Sequence, residues 1–131
     1  MRGMRHAAGL PTSSELEILQ VIWQNGPSSV REVYRTLARD REIGYSTVLK
    51  FMQIMVEKGT LVRDQRVRPQ IYRSALPQAR MQRSIIRDLV TRAFGGSSMS
   101  LVVQALSDSR ATADERREIR KLLDALDKKE R

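Results

Sequence analysis

The hydrophobic pattern of this chain changes period twice, and those changes limit the folds open to it. From Leu16 to Met55 the apolar residues recur at helical spacing. Between Leu61 and Arg73 they form two short runs rich in β-branched and aromatic residues. After Pro77 the helical period returns. A chain of this pattern is mainly α, with one short β element lodged inside it.

The first helix is expected within residues 10–27, striped by Leu16, Leu19, Ile22 and Trp23 and stopped by Gly26-Pro27. Two capping boxes compete for its start, Thr12 with Glu15 and Ser14 with Glu17. A third box, Ser29 with Glu32, opens a second helix striped by Val30, Val33, Tyr34 and Leu37 and running to about Asp40. The third helix, from about Ser46 to Lys58, turns Val48, Phe51, Met52 and Met55 inward, and Gly59 stands where a C-cap glycine belongs. Leu61–Asp64 and Gln70–Arg73 then read as a β-hairpin around the polar loop Gln65–Pro69, with Pro69 kept out of the ladder.

Three short helices and a hairpin are the order of a winged helix-turn-helix, expected over residues 10–75 after a disordered tail at 1–9. With its inner stripe buried, the third helix points Ser46, Thr47, Lys50, Gln53 and Ile54 outward, toward a major groove about 12 Å wide. Leu49 lies at the margin. Hydroxyls near a helix N-terminus suit phosphate, helped by free backbone N–H groups; Lys50 suits guanine acceptors and Gln53 adenine. The hairpin carries Arg63, Arg66, Arg68 and Arg73 against one acid, Asp64. Arg66 and Arg68, alternating about Val67 in its loop, suit a wing that grips phosphates. The candidate DNA-binding residues are therefore Ser46, Thr47, Lys50, Gln53, Arg66 and Arg68.

Residues 76–131 read as a helical dimerisation domain. Met81, Ile85, Leu89 and Ala93 recur at i+4 steps, with Ile86, Val90 and Phe94 beside them, before Gly95-Gly96. Residues 99–106 are nearly all apolar and suited to full burial, yet too short to span a membrane. Thr112 and Glu115 form a capping box for a last helix striped by Ile119, Leu122, Leu123 and Leu126. Each large apolar side chain gains ~1.5–3 kcal/mol on burial, and a second copy of the chain is the expected sink. The residues expected at that contact are Ile85, Leu89, Phe94, Leu101, Ile119, Leu122 and Leu126.

Composition sets the outer bounds. The net charge of +9 favours an anionic partner. The chain has no cysteine, so it has no disulfide, thiolate metal site or thiol nucleophile. It has one histidine, His6, no glycine-rich phosphate loop and no paired carboxylates at catalytic spacing. An enzyme is not expected, nor a cofactor. No apolar run is long enough for membrane insertion and no signal peptide opens the chain, so a cytoplasmic location is expected.

The segments Leu16–Trp23, Val30–Tyr34, Gly44–Leu49, Glu57–Gly59 and, after Gly95-Gly96, Ser100–Val103 resemble the penicillinase-repressor family, BlaI/MecI/CopY, over about residues 10–128. The resemblance implies a homodimeric transcriptional repressor on a palindromic DNA operator, with an intertwined C-terminal helical domain. It places DNA contacts at Ser46, Thr47 and Lys50 and the wing at Arg66 and Arg68. It also implies relief of repression by proteolysis, through a protease of a membrane sensor pathway. Two features depart from the family. Copper-responsive members carry C-terminal cysteines, which are absent here. β-Lactam-responsive members are cleaved at an Asn-Phe pair, where this chain has Gln104-Ala105, so cleavage there is not expected. Two alternatives are compatible with the same pattern: a ligand-responsive winged-helix regulator of the MarR or PadR type, and a winged helix used as a protein-interaction module.

Overall fold

The computed structural model describes residues 10–108 and 111–130, and the tail expected at 1–9 lies outside them. In chain order the elements are α1 (Ser13–Asn25), α2 (Val30–Ala38), α3 (Tyr45–Lys58), β1 (Leu61–Asp64), β2 (Ile71–Ser74), α4 (Gln78–Ala93), α5 (Ser98–Ser107) and α6 (Ala113–Glu130). They form two compact units, one ending at Ile85 and one beginning at Ile86.

Local capping sets where the helices begin. At α1 the Thr12 box forms: Glu15 N–H donates to Thr12 Oγ1 at 3.2 Å, and Thr12 N–H donates to Glu15 Oε1 at 3.1 Å. The rival box at Ser14 does not form, and Glu17 instead pairs with Arg41. Ser29 and Glu32 make the same reciprocal bonds at α2, and Thr112 and Glu115 at α6. At the end of α3, Gly59 takes the left-handed conformation, φ 83°, and Thr60 N–H returns to Met55 O at 2.8 Å. A side chain at that φ is strained, which is why glycine closes this helix.

In the first unit α1, α2 and α3 pack around a core of Ile18, Leu19, Val21, Ile22, Val30, Val33, Val48, Met52, Met55, Leu61 and Tyr72. This corrects the expected stripes in detail. Ile18 and Val21 join Leu19 and Ile22 at the centre, while Leu16 and Trp23 are only half-buried. In α3 the trio Val48, Met52 and Met55 is fully buried, whereas Phe51 and Ile54 are both half-buried. At 3.6 residues per turn Phe51 borders the inner face, while Ile54 falls on the outer half, beyond Phe51 on the same side. Ile54 is thus turned outward as expected, but it is partly covered rather than fully exposed.

The hairpin pairs antiparallel with Leu61 opposite Ser74 and Asp64 opposite Ile71, so its second strand begins one residue later than expected. A third backbone segment joins it. Ser28 N–H donates to Tyr72 O at 2.9 Å and Tyr72 N–H to Ser28 O at 2.8 Å. This bridge ties the α1–α2 connection to the base of the wing, and Tyr72 fills the core beneath it.

Glu15 joins the start of α1 to the end of α3. It is 3% exposed, and Lys58 Nζ donates to both of its carboxylate oxygens at 3.1 Å. A buried carboxylate is costly unless paired and hydrogen-bonded, and Glu15 has both the ammonium and the Thr12 N–H. Lys58 also lies in the last turn of α3, where the helix dipole favours a cation.

The second unit holds the rest of α4, with α5 and α6. Val90 is buried. Residues 99–106, expected to be fully buried, are not: Met99, Val102, Val103 and Leu106 are all exposed within the single chain. Leu122, Leu123 and Leu126 of α6 are exposed as well. Three helices in so short a segment lack the neighbours to cover these faces.

Glu15→Ala is expected to lower the unfolding free energy by about 2–4 kcal/mol, because the cap and the counter-charge of Lys58 go together. Glu15→Gln should cost less, since glutamine keeps the reach back to Thr12. Urea titration followed by circular dichroism measures both, and a Glu15→Ala chain as stable as wild type would refute this role.

Candidate nucleic-acid interface

The inner face of α3 dictates its outer face. Lys50 falls opposite the mean direction of Val48, Met52 and Met55, with Ser46 and Gln53 beside it. Ser46, Thr47, Lys50 and Gln53 are all exposed, as one stripe of hydroxyl, ammonium and amide groups. Gly44 N-caps this helix and gives it no side-chain hydrogen bond. The N-termini of α1, α2, α5 and α6 are each capped by a threonine or serine side chain. The first-turn N–H groups of α3 are thus available to an anion, next to Ser46 and Thr47.

The wing is held in shape by its own arginines. Arg66 grips Asp64 with Nε on Oδ1 at 3.1 Å and a terminal nitrogen on Oδ2 at 3.3 Å, while its backbone N–H donates to Oδ1 at 3.0 Å. These bonds hold the Asp64 carboxyl below its usual range and raise the Arg66 guanidinium. Arg68 donates to the carbonyls of Gln65 at 2.6 Å and Val67 at 3.0 Å. Both guanidinium groups still face solvent and keep spare N–H donors, since each has five. Arg73 is exposed on β2, and Arg63 is half-buried.

A feature that helix periodicity did not reveal lies between these two elements. An open groove of about 680 Å³ runs between the start of α2, the flank of α3 at Tyr45 and Leu49, and Pro69–Tyr72 of the wing. Arg31 and Arg35 line it from α2. The Arg31 guanidinium carbon sits 5.3 Å from the centroid of the Tyr45 ring, and Tyr45 meets Tyr34 edge-to-face at 5.8 Å. The available signal was the i, i+4 spacing of Arg31 and Arg35, which puts two cations on one face of α2.

An outward polar helix face and a basic hairpin, both rooted in one small core, suit a duplex: one enters a groove while the other meets the backbone. The family model of the penicillinase repressor matches residues 11–125. The chain belongs to the penicillinase repressor family. A comparison with curated proteins finds no match. The chain is accordingly a DNA-binding transcriptional repressor, of a family that is not one of enzymes. No helix of this repressor, among the described residues, is long and apolar enough to cross a membrane.

The Asp64 carboxylate competes with phosphate for Arg66 and repels the backbone. Asp64→Asn is therefore expected to tighten binding to mixed-sequence duplex DNA and to steepen its salt dependence. Fluorescence anisotropy at several salt concentrations tests this. Weaker binding by the variant would mean that Asp64 serves chiefly to aim Arg66.

Proposed function

We propose that this repressor acts as a homodimer on a palindromic operator, with α3 reading bases and the wing holding phosphates. The observation that carries the reading is the exposed stripe Ser46, Thr47, Lys50 and Gln53 opposite a fully buried inner face. In this reading Lys50 and Gln53 meet base edges, Ser46 and Thr47 meet phosphate at the helix N-terminus, and Arg66 and Arg68 grip backbone from the wing.

The dimer accounts for the apolar surface of the second unit. Leu89 and Leu122 are 45% and 59% exposed in the single chain, and Leu126 is 50% exposed. Ile85, Phe94, Leu101 and Ile119 are half-buried. A concavity of about 540 Å³, lined by Ile86, Leu89, Phe94, Leu101, Gln104, Ala105 and Asp108, is the kind of apolar recess that a partner's leucines fill. A second copy also supplies the second recognition helix that a palindrome requires.

Gln104 and Ala105 both lie within α5, so a protease that takes its substrate extended must first unwind that helix. Together with the missing Asn-Phe pair, this favours a dimer that stays whole at that bond.

Sedimentation of the full chain at micromolar concentration should give a dimer, and Leu122→Glu with Leu126→Glu should shift it to monomer. A monomeric wild-type chain sinks the dimer. The division of labour on DNA is tested with an operator selected from a randomised pool. Lys50→Ala should cost ~1–3 kcal/mol on that operator and much less on scrambled duplex. Arg66→Ala and Arg68→Ala should weaken both duplexes alike and flatten the slope of log K on log salt by about one per phosphate released. Equal losses for Lys50→Ala on both duplexes would remove it from base reading.

A further inference from the structure

We infer that the groove between α2, Tyr45 and the wing is a second phosphate-gripping site for duplex DNA. There Arg31, held over the ring of Tyr45, and Arg35 contact the backbone. The inference rests on the DNA-binding reading and adds to it a site on α2, away from both the outward face of α3 and the wing tip.

The chemistry of the stack is what singles out Arg31. Arg66 and Arg68 are held by hydrogen bonds, so part of their donor set is already engaged. Arg31 is held by the face of an aromatic ring, an attraction that uses no N–H at all. Among the described residues neither the Arg31 nor the Arg35 side chain makes a hydrogen bond or an ion pair. A guanidinium fixed in orientation with all its in-plane donors free is prepared for bidentate contact with a phosphate. The edge-to-face contact with Tyr34 in turn fixes the Tyr45 ring. Tyr45 is thus a positioning residue for Arg31.

The surroundings favour a backbone phosphate over a compact ligand. The groove is partly open to solvent, and its lining joins α2 to α3 and the wing, the two elements proposed to meet DNA. Glu32, the one acid in its lining, accepts from Ser29 N–H at 2.8 Å with its carboxylate spent on the α2 cap. A duplex held by the helix and the wing passes its backbone across this gap, as the first helix of a helix-turn-helix pair crosses the backbone in general.

The test uses the full-length repressor and a mixed-sequence duplex, so no operator need be known. Wild type, Arg31→Ala, Arg35→Ala, Tyr45→Phe and Tyr45→Leu are titrated by fluorescence anisotropy from 50 to 200 mM salt, with thermal melts to check folding. Removing one phosphate contact from each protomer of a dimer flattens the log–log slope by about 1.8, so Arg31→Ala should lose about twelvefold less affinity than wild type over that range. Tyr45→Phe should keep the wild-type slope, because the ring face is retained. Tyr45→Leu should move toward Arg31→Ala, and a further chain combining Arg31→Ala with Tyr45→Leu should lose no more than Arg31→Ala alone. If Tyr45→Leu does not fold, the Arg31, Arg35 and Tyr45→Phe arms still decide. Wild-type slopes for both arginine variants overturn the site while leaving DNA binding intact. Failure of the wild-type chain to bind any duplex overturns the DNA-binding reading itself, and this site with it.

Discussion

Val48, Met52 and Met55 stand at i, i+4 and i+7 of α3, and none of the three is reached by solvent. Burying such side chains is worth ~1.5–3 kcal/mol each, more than any surface contact of this helix can offset. That burial fixes the rotation of α3 about its axis: a turn of one residue position, about 100°, would bring Leu49 and Val56 to the centre and swing Val48 and Met55 toward water. The outward direction of Lys50 is therefore settled by residues that never meet DNA. Glu15 fixes the remaining freedom, sliding along the axis, by holding Lys58 at the far end of the helix. The outer face proposed to read bases inherits its orientation from the core beneath it.

The parts of this arrangement that the sequence states openly are those built from near neighbours. The Thr12, Ser29 and Thr112 boxes span three residues each, and the helical stripes span two turns, so local pattern suffices to find them. The hairpin is legible for the same reason. What stays hidden joins residues far apart in the chain. Lys58 meets Glu15 across 43 positions, and nothing near either residue marks the pair. Ser28 adds only an isolated bridge to the wing, too short to give a strand pattern. Tyr45 and Arg31 belong to different helices, and each alone looks like ordinary surface. The choice between Thr12 and Ser14 as the cap of α1 was also undecided by local pattern. In the fold Glu15 serves both partners, closing the Thr12 box and meeting Lys58 with the same carboxylate.

The C-terminal helices carry the opposite lesson. Their periodicity is as clear as that of the first unit, yet in the single chain it leads to exposed leucines rather than to a core. Sequence pattern reports that a face is apolar and is silent about what covers it. In the first unit the cover is another helix of the same chain. In the second, the described helices are too few to cover one another, and the proposed partner chain supplies what α4, α5 and α6 lack. Dimerisation would then be the completion of a core, and the folding of this unit would be coupled to the concentration of protomers.

Three ways of holding an arginine occur on the side proposed to face DNA, and they differ in what they leave free. A carboxylate holds Arg66 firmly but cancels its charge and occupies its donors. Carbonyls hold Arg68 without cancelling charge, yet still occupy donors. A ring face holds Arg31 and occupies neither. A phosphate arriving at the wing must displace or share existing bonds, so that contact gains less free energy than it would from an unengaged guanidinium. A phosphate arriving at Arg31 displaces only water. The wing is thus suited to keeping its shape in the absence of DNA, and the α2 groove to converting charge into binding. Affinity for backbone and orientation of the reading helix would then be served by different residues, and either could change without disturbing the other.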